Sequence, residues 1–270
     1  MTVSNLSPAE VTRYARQMTL GGWGREAQER LKSSRVLIAG AGGLGAAAAL
    51  YLLAGGVGAI RLVDGARVSL SDLGHQILFR EKDLGKAKAA VAERHLKEIN
   101  PFVLVESQVK NVSEHNVVRL ASGHHLLIDA TNNAAARFLL NQAAAKFRTP
   151  LVYAWVWEMN GCLTTSWPGH GPCLACAFPD GSRVGQPALL GPLPGVLGSL
   201  LALEAMRILG GLGPALLGRL LTFKGDPLQF TERPIKPDSQ CPVCRRLAPP
   251  ENLKMVSRSN LPRNPTAMAK

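Results

Sequence analysis

The sequence predicts an α/β fold: a doubly wound, mostly parallel sheet carrying helices on both faces, extended at its C-terminal side by antiparallel strands. Three observations predict it. Short apolar runs of strand length alternate with helix-compatible segments over the first 156 residues. A glycine-rich turn joins the first such run to its helix. The 46% apolar content is carried by Ala, Leu and Val, with only 5% aromatic residues, which suits helices layered on a buried parallel sheet. The 270 residues give one large domain enough chain for a sizeable core.

The elements follow in order. Residues 10–32 are polar and helix-compatible, but Gly21-Gly22-Trp23-Gly24 splits them into two short helices, an N-terminal helical arm over 1–34. An apolar strand over 35–39 stops at Gly40-Ala41-Gly42-Gly43-Leu44-Gly45. Residues 46–54 are strong helix formers closed by Gly55-Gly56, and a strand over 59–63 ends on Asp64. A helix over 86–99 leads to a strand over 102–106. Residues 126–129 read as a buried strand, 134–145 as a helix and 151–156 as the next strand. The texture then changes. Residues 162–167 alternate as an antiparallel strand does, 192–209 form an apolar helix, and 220–223 pair with 228–231 as a hairpin. There is no internal repeat.

The formal charge of +12 admits nucleic acid, anionic membrane or acidic partners. Much of the excess gathers at one end, where Arg245, Arg246, Lys254, Arg258, Arg263 and Lys270 face only Glu251 in a stretch rich in Pro, Asn and Ser. Residues 246–270 therefore read as a basic disordered tail, solvated, with no specific nucleic-acid partner. No apolar run approaches 18–20 residues and the N-terminus lacks a signal-peptide pattern, so a cytoplasmic protein without a membrane partner is expected.

The glycine turn fits G-x-G-x-x-G between a strand and a helix, with Asp64 about 20 residues on, at the end of the next strand. Backbone without Cβ approaches a phosphate there, and Asp64 accepts from ribose hydroxyls. The pattern suits NAD and ATP equally. The following segment, with Gln76, Lys86 and Lys88, chooses between them, because paired lysines suit a triphosphate and have no place in a dinucleotide site.

Taken with Arg13-Tyr14-Ala15-Arg16-Gln17, the run from Asp129 to Asn133 and the helical stretch 195–205, these motifs resemble the ThiF/MoeB/HesA family, relatives of ubiquitin-activating enzymes that adenylate sulfur-carrier proteins. The resemblance runs from about Arg13 to Arg245, and it makes 35–245 a nucleotide-binding domain. It implies that Gly40, Gly42, Gly43 and Gly45 line the phosphates of ATP, that Asp64 holds ribose, and that Lys88 meets the reacting phosphates. It also implies that Arg16 reaches into the site of the other subunit of a homodimer. A small ubiquitin-like sulfur carrier is the implied partner, and Mg²⁺ accompanies ATP.

Four positions depart from the family pattern. Asp-x-Asp after the second strand is here Asp64-Gly65-Ala66; Asn-Leu-x-Arg-Gln is Asp72-Leu73-Gly74-His75-Gln76; and Thr-Asp-Asn is Thr131-Asn132-Asn133. Each alters charge at the phosphates, since neutral His75 lacks the permanent bidentate cation of Arg and Asn132 is a poorer Mg²⁺ ligand than Asp. Two readings therefore stand: an active adenylyltransferase, or a degenerate member that binds nucleotide or carrier as a partner subunit.

Cys173-Leu-Ala-Cys176 and Cys241-Pro-Val-Cys244 together offer four thiolates to one tetrahedral Zn²⁺. Cys162 reads as a packed, inert thiol. The loop over 181–190 has no cysteine, so no covalent thioester is expected there. His124, His125 and His170 form no ligand pattern. Trp155 and Trp157 share one face of a strand and read as packing or as carrier-binding surface.

Overall fold

The computed structural model describes residues 5–179 and 188–247. Its core is one eight-stranded sheet in the order β3-β2-β1-β4-β5-β6-β7-β8. The strands are β1 (Arg35–Ala39), β2 (Ala59–Val63), β3 (Leu104–Gln108), β4 (Leu126–Asp129), β5 (Leu151–Trp157), β6 (Asn160–Ser166), β7 (Arg219–Gly225) and β8 (Leu228–Pro234). Pairing is parallel from β3 through to β5 and antiparallel from β5 to β8. The expected architecture holds, including its antiparallel end.

Residues that alternate along the strands feed two separate cores. Val36 and Ile38 of β1, Leu126 and Ile128 of β4 and Val152 of β5 pack beneath α3 (Gly24–Lys32), α4 (Gly43–Gly55), α5 (Lys88–Ile99) and α9 (Pro192–Gly210). Leu37, Ala39, Leu127 and Leu151 point the other way, toward α6 (Val117–Ala121), α7 (Ala134–Phe147) and α8 (Leu174–Ala177). Sheet residues thus alternate between layers with period 2, and each fully buried Leu contributes about 1.5–3 kcal/mol.

The α4–α9 packing rests on small residues. A Cβ at Gly198 would lie 2.6 Å from the Leu44 carbonyl oxygen and 2.7 Å from Ala47 Cβ, so only glycine permits this helix approach. By composition α9 is long and apolar enough to cross a membrane, contrary to the expectation that no apolar stretch nears that length. It lies in the core instead. Its buried Glu204 accepts hydrogen bonds from Thr165 Oγ1 (2.7 Å) and from the amides of Ala215 and Leu216 (3.0 and 2.8 Å), which ties α9 to β6 and to the chain leading into β7.

Three local expectations need correction. The N-terminal arm holds three helices, not two: α1 (Pro8–Arg13), opened by a Ser7–Glu10 capping box, then α2 (Ala15–Met18) after a break at Tyr14, then α3. Strand β3 begins two residues later than expected, because Phe102 and Val103 lie in the turn, where Val103 is buried in the core. Helices α6 and α8, and 3-10 turns over Leu70–Gly74 and Glu81–Asp83, carry too few residues for a 3.6-residue period to register. The expected tail lies outside the described residues from 248 onward.

Candidate nucleotide site and cysteine cluster

A cavity of about 620 Å³ opens over the C-terminal ends of the parallel strands, where ligands of doubly wound sheets bind. The glycine loop between β1 and α4 forms its floor, and the glycines have different tasks. Gly40 adopts φ 96°, and a Cβ there would lie 2.5 Å from the Ala130 carbonyl oxygen. A Cβ on Gly45 would approach the Gly40 oxygen to 1.9 Å, and one on Gly43 would strike Pro194 at 2.7 Å. These three fold the turn. Gly42 caps α4 without any side-chain hydrogen bond, and the nearest atom to its missing Cβ is Gln76 Nε2 at 3.7 Å. The unpaired first-turn N–H groups of a helix form a ready anion site, and Gly42 is where the backbone leaves room for one.

Asp64 ends β2 at the cavity wall. Its Oδ2 accepts from the Ala41 amide (2.8 Å) and its Oδ1 from the Ala66 amide (2.7 Å), so it locks the glycine loop. Each oxygen retains a lone pair for a ribose hydroxyl. Lys88, the first residue of α5, sends its ammonium to Asp72 Oδ1 at 2.9 Å, and both side chains are about nine-tenths buried. Asp72 also accepts from Gln76 Nε2 (2.6 Å) and, through Oδ2, from the amide and hydroxyl of Ser69 (both 2.8 Å). Burial alone would raise the Asp72 carboxyl; Ser69 and Lys88 outweigh it and hold the group below its ordinary value. The acid that replaces the family's Asn is thus fully engaged, and it pairs with Lys88.

Gln76 is buried and its Oε1 has no hydrogen-bond partner among the described residues, while His75 and exposed Asn132 stand in the cavity wall. Lys86 does not line the cavity; it is half exposed and faces Asp83 at 3.7 Å. Asp129 is wholly buried: it accepts from the Thr131 amide and hydroxyl and from Arg137 Nε (3.1 Å), and Arg137 lies 4.5 Å over the Tyr153 ring. Only Ala130 to Asn133 of that motif reach the cavity. Arg16, exposed on α2, lies outside the wall of its own chain's cavity. Sequence reasoning missed Lys110, which lines the cavity just beyond β3 and has no side-chain partner among the described residues. No spacing rule ties a residue after β3 to a turn after β1.

On the far face of the sheet four thiols converge. Cys173 and Cys241 Sγ lie 3.6 Å apart, Cys176 and Cys244 Sγ 3.5 Å apart, and all four sulfurs lie within 4.8 Å of one another. A tetrahedral ion with bonds of about 2.3 Å needs sulfurs roughly 3.8 Å apart, so the donor set fits a metal ion such as zinc. Asn141 Nδ2 and the Asp238 amide donate to Cys173 and Cys176, the outer support such sites require.

Cys162 is 4% exposed and burial pushes its thiol to about 11, an inert core cysteine. His125 Nδ1 accepts from the Arg35 amide, and burial lowers His124 to about 4; neither nears the thiols. Of the loop expected to lack a nucleophile, residues 181–187 lie outside the described residues.

The sequence matches the ThiF family over residues 14–243. The heterocyst HesA protein of Trichormus variabilis is 40% identical over 247 residues, covering 91% of this chain and 92% of that one. The sulfur carrier protein adenylyltransferase of Thermus thermophilus is 37% identical over 246 residues, 87% of this chain and 91% of that one. Among solved structures, Escherichia coli MccB with ATP has the same fold, with a TM-score of 0.77 at 22% identity over 86% of this chain and 74% of that one. The glycine loop, the mostly parallel sheet and the match across nearly the whole described chain agree: this protein belongs to the ThiF family.

Proposed function

We propose that this chain is an ATP-dependent adenylyltransferase that activates the C-terminal Gly-Gly carboxylate of a small ubiquitin-like sulfur carrier. One observation carries the reading: the cavity places an open helix N-terminus at Gly42, the Asp64 carboxylate and the Lys88 ammonium around one space. A carboxylate oxygen attacks the α-phosphorus in line, the bond from that phosphorus to the bridging oxygen breaks, pyrophosphate leaves, and the acyl-adenylate remains. Gly42, Asp64, Gln76 and Lys88 hold the nucleotide, and positioning with charge neutralisation supplies the rate.

The only carboxylates lining the cavity among the described residues are Asp64 and Asp72, both engaged. Mg²⁺ therefore finds no dedicated carboxylate here and accompanies the triphosphate as its counter-ion. The exposure of Arg16, away from its own cavity, supports its supply to the second copy of a homodimer. Apolar surface on adjacent helices, Tyr51 of α4 at 58% and Leu203 of α9 at 57% exposure, supports self-association. The four-thiolate cluster is a structural Zn²⁺ site pinning the C-terminal segment, and catalysis uses no loop cysteine.

Carrier-dependent exchange between ATP and labelled pyrophosphate is the direct test. Exchange with at least one Gly-Gly-ended carrier from the same genome is expected; its absence with all of them refutes the catalytic reading. The Asp72–Lys88 pair favours one alternative, a family member that binds nucleotide without chemistry. Replacing His75 by Arg and Asn132 by Asp should then create exchange activity.

A further inference from the structure

We propose that Trp155, backed by Trp157, is the specificity-determining ledge on which the C-terminal tail of the acyl substrate lies, and that it selects a tail of small uncharged residues. The inference rests on the adenylation reading and names the substrate feature that its site reads.

The sheet order gives the cavity two flanks. Asp64 after β2 and Lys110 after β3 mark one; Asn132, Ala136 and Trp155, after or along β4, α7 and β5, mark the other, with the glycine loop of β1 between them. A nucleotide with its ribose at Asp64 and its phosphates at Gly42 fills the first flank and the centre. The attacking carboxylate then reaches the α-phosphorus from the second. Every charged side chain in the cavity wall lies on the nucleotide side: Asp64, Asp72, Lys88 and Lys110. Among the described residues, the second flank offers neither an anion nor a cation to a substrate side chain.

Trp155 sits two residues beyond the last β4–β5 pair, Asp129 with Tyr153, and so stands past the end of β4 while its other side pairs with Cys162 of β6. Its ring stacks on Trp157 with centroids 4.7 Å apart and planes inclined by 23°, and both side chains are partly buried against the core beneath α7. Stacking holds the ledge rigid, and neither indole N–H has a hydrogen-bond partner among the described residues. A planar, partly solvated aromatic pair with free donors suits an extended main chain: the rings cover backbone and the N–H groups meet carbonyl oxygens. Glycine lies closest to such a surface because it carries no Cβ.

The test measures tail binding without chemistry. A dye-labelled ten-residue peptide ending in Gly-Gly is titrated, by fluorescence anisotropy, into the full chain saturated with a non-hydrolysable ATP analogue. Analogue affinity is measured separately by calorimetry. W155A should weaken the peptide about tenfold or more and leave analogue affinity within about twofold, while W155F restores most of the peptide binding. A peptide ending in Val-Val should bind the unaltered protein at least about tenfold more weakly than the Gly-Gly peptide. Equal peptide affinity in W155A and the unaltered protein overturns the proposal. So does no binding to the unaltered protein at millimolar peptide, and intact analogue binding in that case leaves the nucleotide site standing.

Discussion

Replacing Asp72 by Asn should tighten ATP binding and loosen the fold. In the unliganded site Asp72 holds Lys88 at 2.9 Å. A triphosphate oxygen that meets the Lys88 ammonium from the cavity stands about 6 Å from the Asp72 carboxylate. At that distance two unit charges repel by roughly 2.8 kcal/mol at an effective dielectric of 20, and by roughly 0.7 kcal/mol in bulk water. The half-open cavity lies between these limits, so removing the charge is worth about 1–2 kcal/mol, a 5- to 30-fold lower Kd. Stability moves the other way. The side chains of the pair are 12% and 11% exposed, and losing the anion costs about 1–3 kcal/mol, less than for a fully buried pair because Lys88 borders the cavity. The folded Asp72 carboxyl lies below its ordinary 3.8, so its contribution is complete above the unfolded value and is lost as pH falls through the folded one. D72N should remove that share of acid sensitivity. Calorimetric titration with MgATP and thermal melts without nucleotide read both effects. An unchanged or higher Kd in a cooperatively folded D72N protein refutes the reasoning.

Cys241→Ser should lower bound zinc from about one per chain to near zero and the Tm by several degrees; freshly purified unaltered protein with almost no zinc by atomic absorption contradicts the assignment. Arg137→Ala leaves the Asp129 carboxylate buried without its cation and should cost about 3–5 kcal/mol in urea unfolding; a cost under 1 kcal/mol counts against the pair. Gly42→Ala should fold with nearly unchanged Tm yet bind ATP at least about tenfold more weakly, because its methyl takes the space meant for a phosphate, whereas Gly45→Ala should fail to fold normally; thermal melts with calorimetry separate the two. Cys162 should react with a thiol reagent only on unfolding, and rapid native labelling would contradict its burial.

What the sequence revealed depended on range. Strands β1, β2, β4 and β5 were legible because each is an apolar run bounded by turn residues, and the glycine loop because its spacing is local. The boundary of β3 was not, since Phe102 and Val103 continue the apolar run although they lie in a turn; the pattern records burial, and a turn can be buried too. Of the residues that line the cavity, Gly42 and Asp64 were legible through motif spacing and Lys88 through the family resemblance. The engagement of Asp72 was not, because whether a carboxylate waits for metal or pairs with Lys88 depends on where α5 sets that lysine. Lys110 and the role of Trp155 at the cavity rim likewise arise from strands distant in sequence that end side by side.

The charges around the cavity join two questions that otherwise look separate, whether the site is competent and whether the protein pairs. Asp64 and Asp72 oppose Lys88 and Lys110, so the ionised side chains in the wall present a triphosphate with no net positive charge. The helix N-terminus at Gly42 adds about half a charge, too little for a group carrying several negatives. With neutral His75 in place of a permanent cation, the proposed reading requires the remaining neutralisation from Mg²⁺ and from a cation outside the chain's own cavity. On the proposed homodimer reading that cation is Arg16, which is exposed and does not line its own chain's cavity. On that reading the proposed activity depends on the second copy, and it should fall on dilution more steeply in this chain than in its His75→Arg variant.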